Sequence, residues 1–226
     1  MSLPQVIVLA TGKGGAGKST LARALAAHWL AARHKPALVD ADPQASIASF
    51  HDPEGPMKAI TLAADPEVET VRQTILDLAA KHRPVIVDTA GFRNQTTIMA
   101  AISADLVLIP LKPAAEDVRE ALAMYDLVKE LNQTPEREGR PIGALMVLTM
   151  TTPGTVIARH VRKELETGGF PLLAAEVIQR VAYPELSMRG LSPSIVDPDS
   201  AAARDIAAVA AEIAKRGGDS HVVKAA

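Results

Sequence analysis

Short apolar runs alternate along this chain with longer stretches whose apolar positions recur at helical spacing. Residues 6–10, 37–39, 85–87, 106–109 and 142–148 are continuous runs dominated by Val, Ile, Leu and Ala. They lack the in–out alternation of a strand with one wet face, so the pattern predicts strands covered on both sides. Between them, residues 19–33, 68–82, 98–104, 115–131, 155–167 and 200–215 read as helices; in 68–82 the apolar set is Val68, Val71, Ile75, Leu78 and Ala79. Residues 50–65 and 132–141 are rich in turn formers and polar side chains and read as loops, the first with a short strand at 59–62. A second short strand is expected at 172–174, then a loop around Tyr183, Pro184 and Glu185. Strand and helix alternate throughout, which predicts an α/β fold: a doubly wound, mostly parallel sheet with helices on both faces. No repeat or low-complexity linker interrupts it, so residues 1–226 are expected to form one domain, with 216–226 a frayed tail.

Between the first run and the first helix lies Thr11-Gly12-Lys13-Gly14-Gly15-Ala16-Gly17-Lys18-Ser19-Thr20. Gly12, Gly17, Lys18 and Ser19 fit the phosphate-binding pattern G-x-x-x-x-G-K-[ST], in the strand–loop–helix setting that pattern requires. Glycines let the backbone wrap closely round a polyphosphate with its N–H groups turned inward, and the positive end of the next helix adds to that field. Lys18 supplies a charge to the β- and γ-phosphates, and the Ser19 hydroxyl a ligand for Mg²⁺. The plain alternative is a glycine-rich turn before a helix. Asp88 closes the run at 85–87, where a carboxylate would hold Mg²⁺ through water opposite Ser19; the alternative there is an ordinary helix cap.

Composition narrows the picture. The chain has 226 residues and is 48% hydrophobic, with no apolar run approaching the ~20 residues of a membrane span. Its first residues carry no basic segment, so no signal peptide is expected and a cytoplasmic setting follows. With no cysteine, disulfides and cysteine-ligated zinc or iron–sulfur centres are excluded. A net charge of −2 gives no global attraction to nucleic acid, so any DNA contact needs a local basic patch.

Lys13, a second lysine just after the first glycine, is not needed to bind one nucleotide in one chain. With it the loop resembles that of the deviant Walker-type ATPases of the ParA/MinD group, whose motif reads K-G-G-x-G-K-[ST]. The resemblance implies an ATP- and Mg²⁺-dependent ATPase in which Lys13 reaches across a nucleotide-sandwich homodimer to the partner's phosphates. It implies that Gly12 to Thr20 cradle the nucleotide. Asp40-Ala41-Asp42-Pro43-Gln44 resembles the group's D-x-D-P-Q segment, which would make Asp42 the group that orients the attacking water and put Asp40 in support near Mg²⁺. Both could equally cap the turn. After Asp88, Thr89-Ala90-Gly91 stands where many members have prolines, leaving Gly91 to offer its N–H near the γ-phosphate. The segment 109–113 with Asp117 resembles a proline-containing stretch near the nucleotide and dimer interface, and 183–193 loosely matches the base-contacting loop.

Within the group, the end of the chain (216–226) has two glycines, few large apolar residues and no basic face, so membrane anchoring is not expected. Tyr125 and Tyr183 are the only tyrosines, unlike the tyrosine-rich tails of the kinase relatives. The short ParA type remains: an ATP-dependent dimer that binds double-stranded DNA without sequence preference on the nucleoid, answers to a ParB-type or cargo adaptor, and segregates a plasmid or chromosome or positions other cargo. Arg159, Arg162 and Lys163, at i, i+3 and i+4, would supply the DNA contacts, with Arg180 and Arg189 beside them. Glu164 and Glu166 favour the alternative of a merely solvated helix. Rival readings are a dethiobiotin-synthetase-like metabolic enzyme and a MinD-like positioning ATPase.

Overall fold

The computed structural model describes residues 3–91 and 94–216. The elements follow in the order β1 (Val6–Thr11), α1 (Lys18–Ala31), β2 (Ala37–Ala41), β3 (Thr61–Ala64), α2 (Val71–Ala79), β4 (Val85–Gly91), α3 (Gln95–Ile102), β5 (Leu106–Leu111), α4 (Ala115–Leu131), β6 (Gly143–Thr151), α5 (Val156–Thr167), β7 (Val177–Ile178), α6 (Ala182–Ser187), α7 (Pro193–Val196) and α8 (Ala201–Arg216). The seven strands form one sheet in the order β3-β2-β4-β1-β5-β6-β7, and every pair is parallel.

Continuous apolar strands require two covers, and the chain supplies both. Along β1, Val6, Val8 and Ala10 face a core completed by α2, α3, α4 and α5 through Ile75, Ala100, Met124 and Leu165. Ile7 and Leu9 face the opposite core with Leu21 and Leu25 of α1 and Ile206 and Val209 of α8. Parallel pairing sends the carboxyl ends of β1, β2 and β4 to one edge of the sheet, where a doubly wound fold binds its ligands. Asp40 and Asp88 stand directly opposite one another in the β2–β4 register. The β1–β4 register slips between Leu9 and Thr11, so the phosphate-loop segment leaves the sheet through an irregularity.

The structure differs from the sequence expectation in three places. The short strand expected at 59–62 forms at Thr61–Ala64. The strand expected at 172–174 is reduced to one bridge from Leu172 to Met146, and pairing resumes only at Val177. The amides of Ala174 and Ala175 donate instead to the Glu212 carboxylate (3.0 and 2.6 Å), which takes them off the sheet edge. The loop expected around Tyr183 is α6, with Pro184 in the first turn, where its missing N–H costs nothing. Arg216 closes α8; the tail expected to fray lies otherwise outside the described residues. Among the described residues no helix is long and apolar enough to cross a membrane.

Candidate functional site

The loop from Gly12 to Gly17 turns from β1 into α1 with Gly15 at φ +77° and Gly17 at φ +84°, both left-handed. Gly17 is the N-cap of α1 and provides no side chain to its free amides, while its carbonyl accepts from Leu21 N at 2.9 Å. A helix start left this way is an anion site. Two neighbours hold the loop from outside. Thr149 Oγ1 of β6 donates to Ala16 O at 2.9 Å. Gly91, ending β4, lies so close to Gly12 that a Cβ there would sit 3.3 Å from the Gly12 carbonyl oxygen.

Lys18 is 7% exposed, with Nζ 3.5 Å from the Lys13 carbonyl oxygen. Burial lowers its pKa, while the nearby charges of Asp88 and Asp42 pull it back up. Asp88 is fully buried, and neither carboxylate oxygen has a hydrogen-bond partner among the described residues. Desolvation pushes its pKa up to about 7; the approaching Ser19 hydroxyl and Lys18 oppose that, and Asp40 and Asp42 add to it. Ser19 comes close enough to be felt without making a bond of good geometry to either oxygen. A buried carboxylate with no donor, beside a hydroxyl and a lysine at a phosphate-type loop, fits a hard divalent cation.

Asp40 stands opposite Asp88, near the expected metal place, and its Oδ2 accepts from the amides of Ile47 and Ala48, both at 2.9 Å, so this buried carboxylate also pins the 42–50 loop as the capping alternative has it. Asp42 is half-buried and accepts from Gln44 N at 2.9 Å. It lines a cavity of about 570 Å³ with Gly14, Gly15, Lys18 and Ser19, facing the phosphate loop. Next to that space, sharing Gly17, Thr20, Met150 and Pro184 with it, lies a second cavity of about 350 Å³ lined by Leu21, Val177, Ile178, Tyr183 and Ile206. One compartment is polar and cationic and its neighbour apolar, as a phosphorylated, ring-bearing ligand requires.

Lys13 lines neither cavity; it is 40% exposed, with Nζ 3.1 Å from Oδ2 of the buried Asp117, and Lys112 is 4.0 Å from the other oxygen. Of the three cations read as a DNA face, Arg159 and Lys163 are exposed. Arg162 is not free: it donates to Leu173 O at 3.0 Å and pairs with Glu176 at 3.3 Å and Glu166 at 3.7 Å. Arg180 is likewise committed, by a two-pronged pair with Asp205 at 2.7 and 3.1 Å. Sequence reasoning missed Met150, which sits at φ +52° beside Gly17 between the two cavities. It also missed Arg23. The sequence marks it only as a lone cation inside the otherwise apolar stretch from Leu21 to Ala27, which is equally the pattern of an arginine on a solvent-facing side of the helix.

A parallel doubly wound sheet, a glycine loop opening into a helix, and a buried lysine facing the buried carboxylate of β4 define a P-loop nucleotide-binding protein. Residues 7–193 match the CobQ/CobB/MinD/ParA nucleotide binding domain. The chain belongs to this family and is an ATPase of the ParA/MinD type. It is 30% identical over 190 residues to "Protein ParA" of Rhizobium radiobacter, covering 82% of this chain and 83% of that one. It is 28% identical over 191 residues to "Maintenance of carboxysome distribution protein A" of Halothiobacillus neapolitanus, covering 82% and 85%. The septum site-determining protein MinD of Pyrococcus horikoshii, solved with Mg-ADP, superposes with a TM-score of 0.73 at 16% identity, over 96% of this chain and 98% of that one.

Proposed function

We propose that this chain is a Mg²⁺-dependent ATPase that pairs around two ATP molecules, binds double-stranded DNA without sequence preference in that state, and moves or spaces a DNA or other cargo through an adaptor protein. The observation that carries the reading is Lys13. It lines neither of the two cavities and its side chain is 40% exposed on Asp117, which supports a role towards the phosphates of a second subunit rather than those bound by its own chain. The relatives named ParA and named for carboxysome distribution support the same class of work.

In the site, the free amides of α1 and Lys18 would bind the β- and γ-phosphates, and Ser19 and Asp88 would hold the metal, which supplies charge against that developing on the phosphates. The apolar cavity beside Met150 and Tyr183 would take the base. Asp42 would orient water towards the terminal phosphate, and Gly91 would present its N–H from the end of β4. Exposed Arg159 and Lys163 remain the DNA contacts of α5, and Arg162 would act as their internal brace.

The test is ATP-dependent, salt-sensitive binding of the purified protein to nonspecific duplex DNA, with Lys13→Ala and Asp42→Ala alongside. Binding with ATP, lost with ADP and in Lys13→Ala, is expected; Asp42→Ala should keep nucleotide binding and slow turnover. Dimerisation without DNA binding in any nucleotide state would move the function to a non-DNA surface. Turnover that depends on a small carboxylate or amine would make the protein a metabolic enzyme.

A further inference from the structure

Arg23 is 4% exposed and sits one helical turn beyond Ser19 on the same face of α1. Among the described residues no carboxylate oxygen comes within 4.0 Å of its guanidinium. A buried cation is expensive to leave without an anion, so its hydrogen bonds must compensate. They go to two backbone carbonyls from different parts of the chain: Nη2 to Ser46 O at 3.0 Å and Nη1 to Ser187 O at 3.2 Å. Ser46 belongs to the loop that carries Asp42, and Ser187 ends α6. Both segments wall the polar cavity, one through Asp42, Gln44 and Ser46 and the other through Pro184, Ser187 and Met188. α6 also supplies Tyr183 and Pro184 to the apolar cavity.

A second, independent tie joins the same walls. Gly190, at φ +65°, lies so close to Phe50 that a Cβ there would fall 2.0 Å from the Phe50 carbonyl oxygen. The loop is in turn pinned to β2 by the bonds from Ile47 and Ala48 to Asp40. The Asp42 loop is therefore joined at three points, to β2, to α1 and to the α6 segment, and among the described residues Arg23 is the side chain that hydrogen-bonds to both walls.

We infer that Arg23 is a positioning residue: its forked contact with Ser46 and Ser187 couples the wall that borders the apolar cavity to the loop that carries Asp42, so that filling the cavity places Asp42. This rests on the nucleotide-site reading above and adds to it a residue that needs no contact with the ligand. Planar forked geometry matters here, because two carbonyls on separate segments are held by two rigidly related nitrogens; a lysine keeps the charge and loses the fork.

The experiment uses the full chain as wild type, Arg23→Met, Arg23→Lys and Gly190→Ala. Three quantities are read: melting temperature, steady-state ATP hydrolysis, and hydrogen exchange of the 42–50 amides with and without Mg-ADP, which lacks the phosphate nearest Asp42. In the wild type, Mg-ADP should slow exchange at Ile47 and Ala48. In Arg23→Met, assayed below its melting temperature, that slowing should vanish, and kcat should fall about tenfold or more with KM changed by less than about threefold. Arg23→Lys should be intermediate. Gly190→Ala, which forces the same walls apart, should repeat the result and stands in if the Met variant does not fold. Equal Mg-ADP protection and equal kcat in the folded Arg23 variants would overturn the inference while leaving the ATPase reading intact. A wild type that neither binds Mg-ADP nor hydrolyses ATP would overturn that reading itself.

Discussion

Asp88 shows what a binding site costs the protein that carries it. The carboxylate sits midway along the buried strand β4, which runs on three residues past it to Gly91, with both oxygens unpartnered among the described residues, and burial raises its pKa from 3.8 to about 7. Between those two pH values the folded chain keeps a proton that the unfolded chain has lost, so stability falls as pH rises through that window. A shift of about three units corresponds to a penalty on the order of 4 kcal/mol, present in full above pH ~7. Asn has nearly the same shape and carries no charge. Asp88→Asn should therefore melt higher than wild type without metal or nucleotide, with a gap that widens from about pH 5 to about pH 8. Excess Mg-ATP should narrow or reverse that gap, because the wild type, which keeps its metal carboxylate, binds the metal–nucleotide complex more tightly than the variant. Melting curves at several pH values check both statements; a gap independent of pH would show that Asp88 is not a desolvated acid. Sequence gave this residue's place but not its strain, since the apolar run before it says that it is deep and nothing says what it lacks.

α1 and the loop after β2 show where sequence reading succeeds and where it stops. The helix was legible because a glycine loop, a lysine and an apolar stretch each force the same answer, and its bounds moved by only a turn or less. The central strands were legible for a similar reason: runs such as Val85 to Val87 can be satisfied only between two covers. What escaped depends on which carbonyl or amide a side chain finds. Asp40 and Asp42 look equivalent in D-x-D-P-Q, yet one is buried on the Ile47 and Ala48 amides and the other lines the phosphate cavity. Likewise α6 was hidden by Pro184, which reads as a loop residue until its place in the first turn is known. The distinction between the two aspartates is testable. Asp40→Ala leaves two amides of the loop unpaired and should destabilise the fold by roughly 2–4 kcal/mol, seen as a shifted urea midpoint. Asp42→Ala should barely move that midpoint. Equal destabilisation by both changes would mean that the two carboxylates share one structural task.

Between subunits, the decisive group is again a charge with two possible homes. Lys13 is paired with Asp117 within its own chain at 3.1 Å, and Asp117 is 1% exposed. A lysine engaged there cannot at the same time lie on the phosphates of a second subunit, so the pairing around ATP proposed above would have to exchange one partner for the other. The exchange is only modestly uphill, because Lys13 itself is 40% exposed and water screens its half of the ion pair. Asp117 keeps Lys112 nearby, with Nζ at 4.0 Å and its backbone N at 3.4 Å, so it is not abandoned when Lys13 leaves. Asp117→Asn retains shape and hydrogen-bonding capacity and weakens only the hold on Lys13. Under the sandwich reading it should form the ATP dimer at a lower protein concentration than wild type, by about twofold to fivefold for each Lys13–Asp117 pair released, as a half-exposed ion pair of up to roughly 1 kcal/mol allows. The same change combined with Lys13→Ala should show no such gain. Sedimentation velocity with ATP over a range of protein concentrations reads the difference directly. If Asp117→Asn dimerises less readily than the wild type, the Lys13–Asp117 pair belongs to the assembled state, and the lysine does not travel.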